Sequence, residues 1–355
     1  MKILVTGGAG FIGSCFVELA LRDGYSVVVL DALTYAGHLE NLEEFKDRDG
    51  YKFIQGDIRQ GDLVGKILKD EKIGWVVNFA AESHVDKSIT GPREFLDTNV
   101  IGTYELLQAS LKYWKSLTPE MAGAFRFLHV STDEVFGSLE LSDPPFHEET
   151  QYRPNSPYSA SKAASDHLVR AWHHTYGLPT LQTNCSNNYG PKQFVEKFIP
   201  HLIYRALQGK ALPVYGKGEN IRDWIHVRDH CRGVMLALEK GWPGETYCFG
   251  GNQEVKNLDL AKTLCKILDE RRPLPSGEKY ATRIEFVTDR PGHDLRYAIN
   301  DEKAKKELGY ERSIPTFEQG LRETVDWYLK NTDWAKKVSS KPGAKIQYEW
   351  GKISP

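Results

Sequence analysis

The sequence predicts an α/β protein: a doubly wound parallel sheet with a smaller, mixed α/β C-terminal region. Three observations predict it. Short β-branched runs alternate with amphipathic stretches through the first half of the chain, and a glycine-rich turn directly follows the first run. After Tyr189-Gly190-Pro191 the regular rhythm gives way to pieces punctuated by Gly209, Pro213, Gly216, Gly218, Pro243 and Gly244.

Taken in order, Ile3-Leu4-Val5, Val27-Val28-Val29-Leu30, Tyr51-Lys52-Phe53-Ile54, Trp75-Val76-Val77-Asn78-Phe79 and Phe127-Leu128-His129-Val130 read as strands with helical patterns between them. The 355 residues suffice for one large domain or two ordinary ones. The expected division is a cofactor-binding unit over 1–186, with 221–250 returning to it. A discontinuous substrate-binding unit is expected over 187–220 and 251–335. Residues 271–283, with Pro273, Pro275 and Gly277 among charges, read as a surface loop, and 336–355 as a peripheral tail.

Composition narrows the function. Forty-six basic against 48 acidic side chains leave a formal charge of −2, so no general field for nucleic acid or acidic membranes is expected, and any anion site is local. The five cysteines are odd in number, widely spaced and without a C-x-x-C pair, as expected of thiols in a reducing cytoplasm. The N-terminus opens on a strand-like run rather than a signal peptide, and no apolar run approaches 18 residues, so a cytoplasmic location without a membrane span is expected.

Thr6-Gly7-Gly8-Ala9-Gly10-Phe11-Ile12-Gly13 follows the first strand and opens a helix, matching the G-x-G-x-x-G pattern. Glycines there permit a tight turn and close backbone approach, while the helix N-terminus offers N–H groups to a pyrophosphate. Asp31, eighteen residues after Gly13, ends the second strand where a carboxylate accepts bonds from an adenosine ribose and repels a 2′-phosphate. The cofactor expected on this Rossmann-type half is therefore NAD, touched by Gly7, Gly10, Phe11, Ile12, Gly13, Asp31, Ala32, Leu33 and Thr34. Asp57-Ile58 can reach the adenine, although from sequence alone a plain turn reads equally well. Phe79, Ala80, Ala81 and Ser83 end another strand with small residues that let a dinucleotide approach.

Two segments carry the chemistry. In Pro157-Tyr158-Ser159-Ala160-Ser161-Lys162, proline suits the first helical turn, and Tyr158 and Lys162 fall at i and i+4 on one face. A lysine ammonium beside a phenol favours phenolate. In Ser131-Thr132-Asp133-Glu134, two acids follow a strand whose carboxyl end faces the nicotinamide. A simple oxidoreductase or epimerase needs no carboxylate pair there. Elimination of water needs both a proton acceptor at carbon and a donor to the departing hydroxyl. The His226/His230 pair has helical metal-ligand spacing without an evident third ligand, so a helix-surface or packing role is expected and no metal.

On these motifs the sequence resembles the dTDP-glucose 4,6-dehydratase family of extended short-chain dehydrogenases. The resemblance runs from the glycine loop to Thr324-Val325-Asp326-Trp327-Tyr328. It includes Ala80-Ala81-Glu82-Ser83-His84-Val85-Asp86, Asn184-Cys185-Ser186-Asn187-Asn188-Tyr189-Gly190-Pro191, Arg222-Asp223-Trp224 and Asp289-Arg290-Pro291-Gly292-His293-Asp294. It implies that Tyr158 takes the sugar 4-hydroxyl proton while NAD⁺ takes hydride from C4. Glu134 then removes the C5 proton, Asp133 protonates the leaving C6 hydroxyl, Thr132 holds the oxygen at C4, and hydride returns to C6. It further implies that Thr98 and Asn188 hold the cofactor, and that Ser83 and Asn187 meet the substrate. Lys197, Phe198, Pro213, Val214, Tyr215, Arg222, Asn257, Arg290, His293 and Asp294 would form the nucleotide-diphosphate pocket. Bidentate arginines and a stacking Tyr215 suit such a ligand.

The resemblance also implies a homodimer built on the helices around 97–114 and 159–176. Phe136 stands where the family commonly has Tyr, the loop from Ser138 to Thr150 is short, and Val195 replaces an expected Pro. Three other readings use parts of the same pattern. UDP-glucose 4,6-dehydratase differs by one methyl group on the base; a 4-epimerase would share Tyr158 and Lys162 but leave the acid pair unexplained; a non-catalytic NAD-binding scaffold could dispense with all four groups.

Overall fold

The computed structural model describes residues 1–340. Its strands are β1 (Lys2–Thr6), β2 (Ser26–Asp31), β3 (Tyr51–Gln55), β4 (Trp75–Asn78), β5 (Arg126–Thr132), β6 (Thr180–Cys185), β7 (Asn187–Tyr189), β8 (Leu212–Tyr215), β9 (Ile221–His226), β10 (Thr246–Phe249), β11 (Glu254–Lys256) and β12 (Ile284–Val287). Seven of them form one parallel sheet in the order β3-β2-β1-β4-β5-β6-β10, the doubly wound arrangement that the sequence predicts.

Strand periodicity decides how this sheet is covered. Ile3, Val5, Val27, Val29, Val77 and Leu128 belong to one apolar core, whereas Leu4, Val28, Leu30, Val76 and Phe127 belong to another on the opposite face. Both faces are buried, which is why these strands read as continuous apolar runs. Helix Phe11–Arg22 packs against helix Val227–Lys240 in the first of these layers.

A third core, including Tyr189, Ile199, Leu212, Leu260, Leu321 and Tyr328, supports the smaller region. There β9 pairs with β7 and β11, and β8 pairs in parallel with β12. The surface loop expected over 271–283 is pinned within its span by Tyr280, which is buried and donates to the Arg272 carbonyl. Of the tail expected over 336–355, helix Thr332–Ser339 accounts for the start, and everything after Ser340 lies outside the described residues.

Register positions the site. β4 makes its last pairing with Asn78 opposite His129, while β5 continues beside β6 through Thr132 opposite Cys185. Val130, Ser131 and Thr132 therefore project past β4 at the sheet's carboxyl edge. Helix Pro157–Tyr176 docks there. Ser156 closes a capping box with Ser159, Pro157 occupies the first turn, and Gly177 ends the helix at φ 73°. Its buried face carries Tyr158, Lys162, Asp166, Val169 and Trp172.

Of the two roles expected for the His226/His230 pair, packing rather than helix surface is the one found. Neither residue is on a helix surface: both are buried, and His226 precedes the helix, capping it by accepting the Arg228 N–H at 3.3 Å. His230 Nδ1 meets Asn188 Oδ1 at 2.9 Å. Among the described residues no group of three His, Cys, Asp or Glu side chains is arranged to hold a metal ion. No helix among them is long and apolar enough to cross a membrane.

Burial pushes His226 down to about 3, so its ring stays neutral in the fold. An unfolded histidine titrates near about 6.5. The stabilisation from keeping this ring neutral is complete above that value and is lost as pH falls toward about 3, because only the unfolded chain takes up the proton. Asn would retain the cap without titrating. Urea denaturation at about pH 7.5 and 5.5 should therefore show wild type losing about 1.4 kcal/mol more than His226→Asn over that interval. An identical stability difference at both pH values would contradict the assignment.

Candidate active site

The carboxyl ends of β1, β4, β5 and β6 open onto one cleft. Gly7 turns at φ 67°, and its N–H bonds the Leu30 carbonyl at 2.9 Å. A Cβ on Gly7 would lie 2.7 Å from Ala80 N, and one on Gly13 would lie 2.2 Å from the Gly7 carbonyl oxygen. The two glycines thus let β1, β4 and helix Phe11–Arg22 meet. That helix has no side-chain cap at Gly10, which leaves its first N–H groups available to a ligand anion.

Around this turn the cleft wall gathers Gly10, Phe11, Ile12, Asp31, Ala32, Thr34, Asp57 and Ile58. Phe79, Ala80, Ala81, Ser83, Thr98 and Asn188 continue it. Asp31 is oriented by the N–H groups of Ala9 at 2.9 Å and Leu33 at 2.8 Å. The Leu33 side chain itself packs into the core, so its connection to the cleft is through Asp31. Uncapped helix, close-approach glycines and a strand-end carboxylate fit an NAD-type dinucleotide.

At the end of β5, the Thr132 hydroxyl accepts the Glu134 N–H at 3.3 Å and donates to Asp133 Oδ1 at 3.2 Å. Tyr158 lines the same cleft. Asp133 is 2% exposed, and its Oδ2 has no hydrogen-bond partner among the described residues. Lys162 Nζ donates to the Val130 carbonyl at 2.8 Å and lies 3.2 Å from His129 Nε2.

Sequence reasoning missed the groups underneath. Thr6 Oγ donates to Asn78 Oδ1 at 2.6 Å, which turns the Asn78 amide nitrogen toward His129 Nδ1 at 3.1 Å. His129 Nδ1 is then an acceptor, and the neutral ring carries its proton on Nε2, facing Lys162 and Asp166. Asp166 Oδ2 accepts from Ser131 at 2.7 Å and Tyr152 at 3.0 Å. Its position four residues beyond Lys162 on the same helical face was the available signal.

Environment separates the two neighbouring acids. Burial, then the Glu134 and Asp223 carboxylates, push Asp133 well above the usual carboxyl range, with Arg222 opposing. Burial also raises Glu134, but Arg290, Lys197 and Arg222 oppose that shift. Both shifts favour the protonated form, at Asp133 with two carboxylates reinforcing burial and at Glu134 with three cations opposing it. Burial raises the Tyr158 phenol and lowers the Lys162 ammonium, while Asp166 opposes the latter shift.

Asn187 and Lys197 line the same cleft, with Lys197 Nζ held by the Ser83 carbonyl at 2.8 Å. The remaining predicted residues form a second group. Arg222 donates to the Asp294 carbonyl at 2.9 Å and stacks its guanidinium 4.2 Å from the Tyr297 ring. Asp86, which sequence reasoning quoted without a role, accepts from Tyr215 at 2.9 Å and Arg290 at 3.3 Å. His293 meets Asp289 at 2.6 Å and lies edge-on to Tyr215. Pro213 is half-buried on β8. Val214 and Phe198 instead pack with the third core, and Asn257 bonds the Asn220 carbonyl through its backbone at 3.0 Å. Phe136 and Val195 sit in apolar clusters and are not themselves on the cleft wall, although Phe194 of the second cluster is, and the short 138–150 loop bonds Arg296 and Ala298.

Gly13→Ala would drive a methyl group into the Gly7 carbonyl. The expected result is a displaced loop, read as a lower melting temperature and loss of dinucleotide-induced stabilisation in a thermal-shift titration. Unchanged melting and unchanged response to NAD would contradict the packing described.

A family profile described as GDP-mannose 4,6 dehydratase matches residues 4–324. A dTDP-glucose 4,6-dehydratase from Xanthomonas campestris pv. campestris (strain B100) is 56% identical over 335 residues, covering 94% of this chain and 95% of that one. The crystal structure of dTDP-glucose 4,6-dehydratase from Bacillus anthracis str. Ames in complex with NAD is 46% identical, with a TM-score of 0.83 over 95% of this chain and 99% of its own. DesIV, the dTDP-glucose 4,6-dehydratase of Streptomyces venezuelae, with NAD and TYD bound, is 43% identical, with a TM-score of 0.86 over 95% and 100%. This chain belongs to the dTDP-glucose 4,6-dehydratase family of extended short-chain dehydrogenases.

Proposed function

We propose that this protein is an NAD-dependent hydro-lyase that converts dTDP-glucose to dTDP-4-keto-6-deoxyglucose. One observation carries the reading: two consecutive buried acids, Asp133 and Glu134, in electrostatically different surroundings, share a cleft with Tyr158 and Lys162. A 4-epimerase has no use for that pair. NAD⁺, when bound along the glycine loop and Asp31, supplies the hydride acceptor and donor. Tyr158 takes the 4-hydroxyl proton, and the Lys162 ammonium, one helical turn away on the same face, would with the bound nicotinamide favour the phenolate. Thr132 holds the oxygen at C4. Once that carbon is a ketone, Glu134 removes the acidified C5 proton and Asp133 protonates the C6 hydroxyl as it leaves. Because the hydride comes back to the same sugar, the cofactor stays bound through successive turnovers.

The proposed division of labour gives the cofactor to 1–186 with 221–250, and the nucleotide sugar to 187–220 with 251–335. Arg222 and Arg290 would meet the diphosphate, and Tyr215 the base. A cytoplasmic homodimer completes the proposal. Leu96 and Ile101, 49% and 48% exposed beside helix Thr103–Trp114, offer apolar surface for a second copy.

Purified enzyme given dTDP-glucose should yield a 4-keto product that absorbs in alkali and, in deuterated water, carries deuterium at C5. Unchanged sugar, or only its C4 epimer, would sink the proposal. Discrimination against UDP-glucose rests on one methyl group, worth about 1–3 kcal/mol, so kcat/KM should favour dTDP-glucose by about 10- to 100-fold. Glu134→Gln should retain NAD, cease C5 exchange and lose about 10²- to 10⁴-fold in kcat. Full turnover by that variant would remove Glu134 from its role.

A further inference from the structure

The nucleotide pocket, on which this inference rests, gives Tyr215 to the base and Arg290 to the diphosphate. Both residues leave one end of the same two-stranded sheet. β8 and β12 run parallel, Tyr215 pairs with Val287 in the last register position, and the Gly216 N–H bonds the Val287 carbonyl at 2.9 Å. Beyond β12 the chain closes on itself, with Asp289 Oδ1 accepting the Arg290 N–H at 2.8 Å and facing His293 Nδ1 at 2.6 Å. Backbone pairing thus fixes where Tyr215 and Arg290 emerge. It does not fix a guanidinium at the end of several rotatable bonds, or the tilt of a phenol ring.

Asp86 reaches both from the other half of the molecule. It belongs to helix Val85–Thr90, which follows β4. Its Oδ2 accepts from the Tyr215 hydroxyl at 2.9 Å and its Oδ1 from Arg290 Nη1 at 3.3 Å. The Asp86 and Arg290 side chains are 20% and 18% exposed, so solvent screens this pair less than one on the open surface. Which nitrogen the carboxylate takes matters. A guanidinium makes paired bonds to a phosphate through its Nε–Nη2 edge or its Nη1–Nη2 edge. With Nη1 on Asp86, the Nε–Nη2 edge is left for a ligand, and Arg290 Nε is buried without a hydrogen-bond partner among the described residues. A buried donor of this kind is unfavourable until an acceptor meets it.

The carboxylate also has an opposing effect, since it repels a diphosphate. Position decides between the two. Asp86 is in contact with the Arg290 charge, while a phosphate on the guanidinium's other edge lies farther off, and Coulomb repulsion falls with distance and solvent access. Removing Asp86 would release Tyr215 and Arg290 together. We propose that Asp86 is a positioning residue for nucleotide recognition, holding the Tyr215 ring and the Arg290 guanidinium in the one arrangement that takes a pyrimidine base and its diphosphate at once. Asp86 is also three residues beyond Ser83, whose carbonyl accepts from Lys197 Nζ at 2.8 Å on the cleft wall, so one short segment joins the nucleotide clamp to the proposed sugar contact.

The test titrates dTDP, and separately thymidine, into NAD-loaded wild type, Asp86→Ala and Asp86→Asn by calorimetry, with melting temperatures recorded for all three. Asp86→Ala should weaken dTDP binding about tenfold or more, with a smaller loss for thymidine, because only dTDP uses Arg290. Asp86→Asn keeps an oxygen for the guanidinium and an N–H for the phenol oxygen, so its loss should be smaller, about threefold, and it still decides the matter if alanine destabilises the fold. With dTDP-glucose the effect should fall on KM and leave kcat within about twofold. Variants that bind dTDP as tightly as wild type would overturn the positioning role. Variants that bind it more tightly would also overturn it, by showing that repulsion of the diphosphate is the larger effect of Asp86. Wild type that binds no dTDP would overturn the nucleotide pocket itself, and is recognised before any variant is compared.

Discussion

The site depends on one docking contact, that of helix Pro157–Tyr176 against the projecting end of β5. Lys162 is buried there with its ammonium on the Val130 carbonyl and beside His129, and Asp166 grips Ser131 one helical turn further on. A buried polar group left unpaired costs about 1–3 kcal/mol, so these bonds fix the helix azimuth as well as stabilising it. Tyr158 follows from that azimuth, one turn earlier on the same face. It thereby shares the cleft with Thr132, the last residue of the strand that the helix grips. Catalytic geometry and helix packing are in this sense a single polar seam.

The same seam explains which parts of the fold were legible in sequence. β1 to β5 announce themselves because their faces are apolar. β6 does not, since Thr180, Gln182, Thr183 and Asn184 are buried polar residues where an apolar run would be sought. Gln182 bonds Tyr152, and Asn184 holds Thr132, so the residues that hide the strand are ones that support the site. The glycine loop and the Tyr158/Lys162 spacing were readable because each is a local constraint on backbone or helix face. Asp86, Tyr215 and Arg290 converge across more than a hundred residues, and no local pattern encodes that meeting. The packing role expected of His226 and His230 holds, but their helical spacing was only apparent, since the first caps the helix from the strand end.

Asp133 and Glu134 show how one strand end can make two different acids from adjacent residues. The turn after β5 directs Asp133 into a buried place near Asp223, and leaves Glu134 half-buried, facing Arg290, Lys197 and Arg222. Two of the cations, Lys197 and Arg290, come from the segments proposed to hold the nucleotide sugar, so the electrostatic pattern draws on both parts of the molecule. A sugar entering between them meets a proton donor and a proton acceptor that are already distinguished. Dehydration therefore rests on electrostatic surroundings more than on the identity of two acidic residues.

The most direct measurement of this claim is the ionisation state of Asp133 in the NAD-loaded enzyme. Infrared difference spectra between wild type and Asp133→Asn, recorded at neutral pH, isolate that one carboxyl group. The account expects the band of a protonated carboxylic acid in wild type that is absent from the variant. A difference spectrum containing only an ionised carboxylate at position 133 would contradict it.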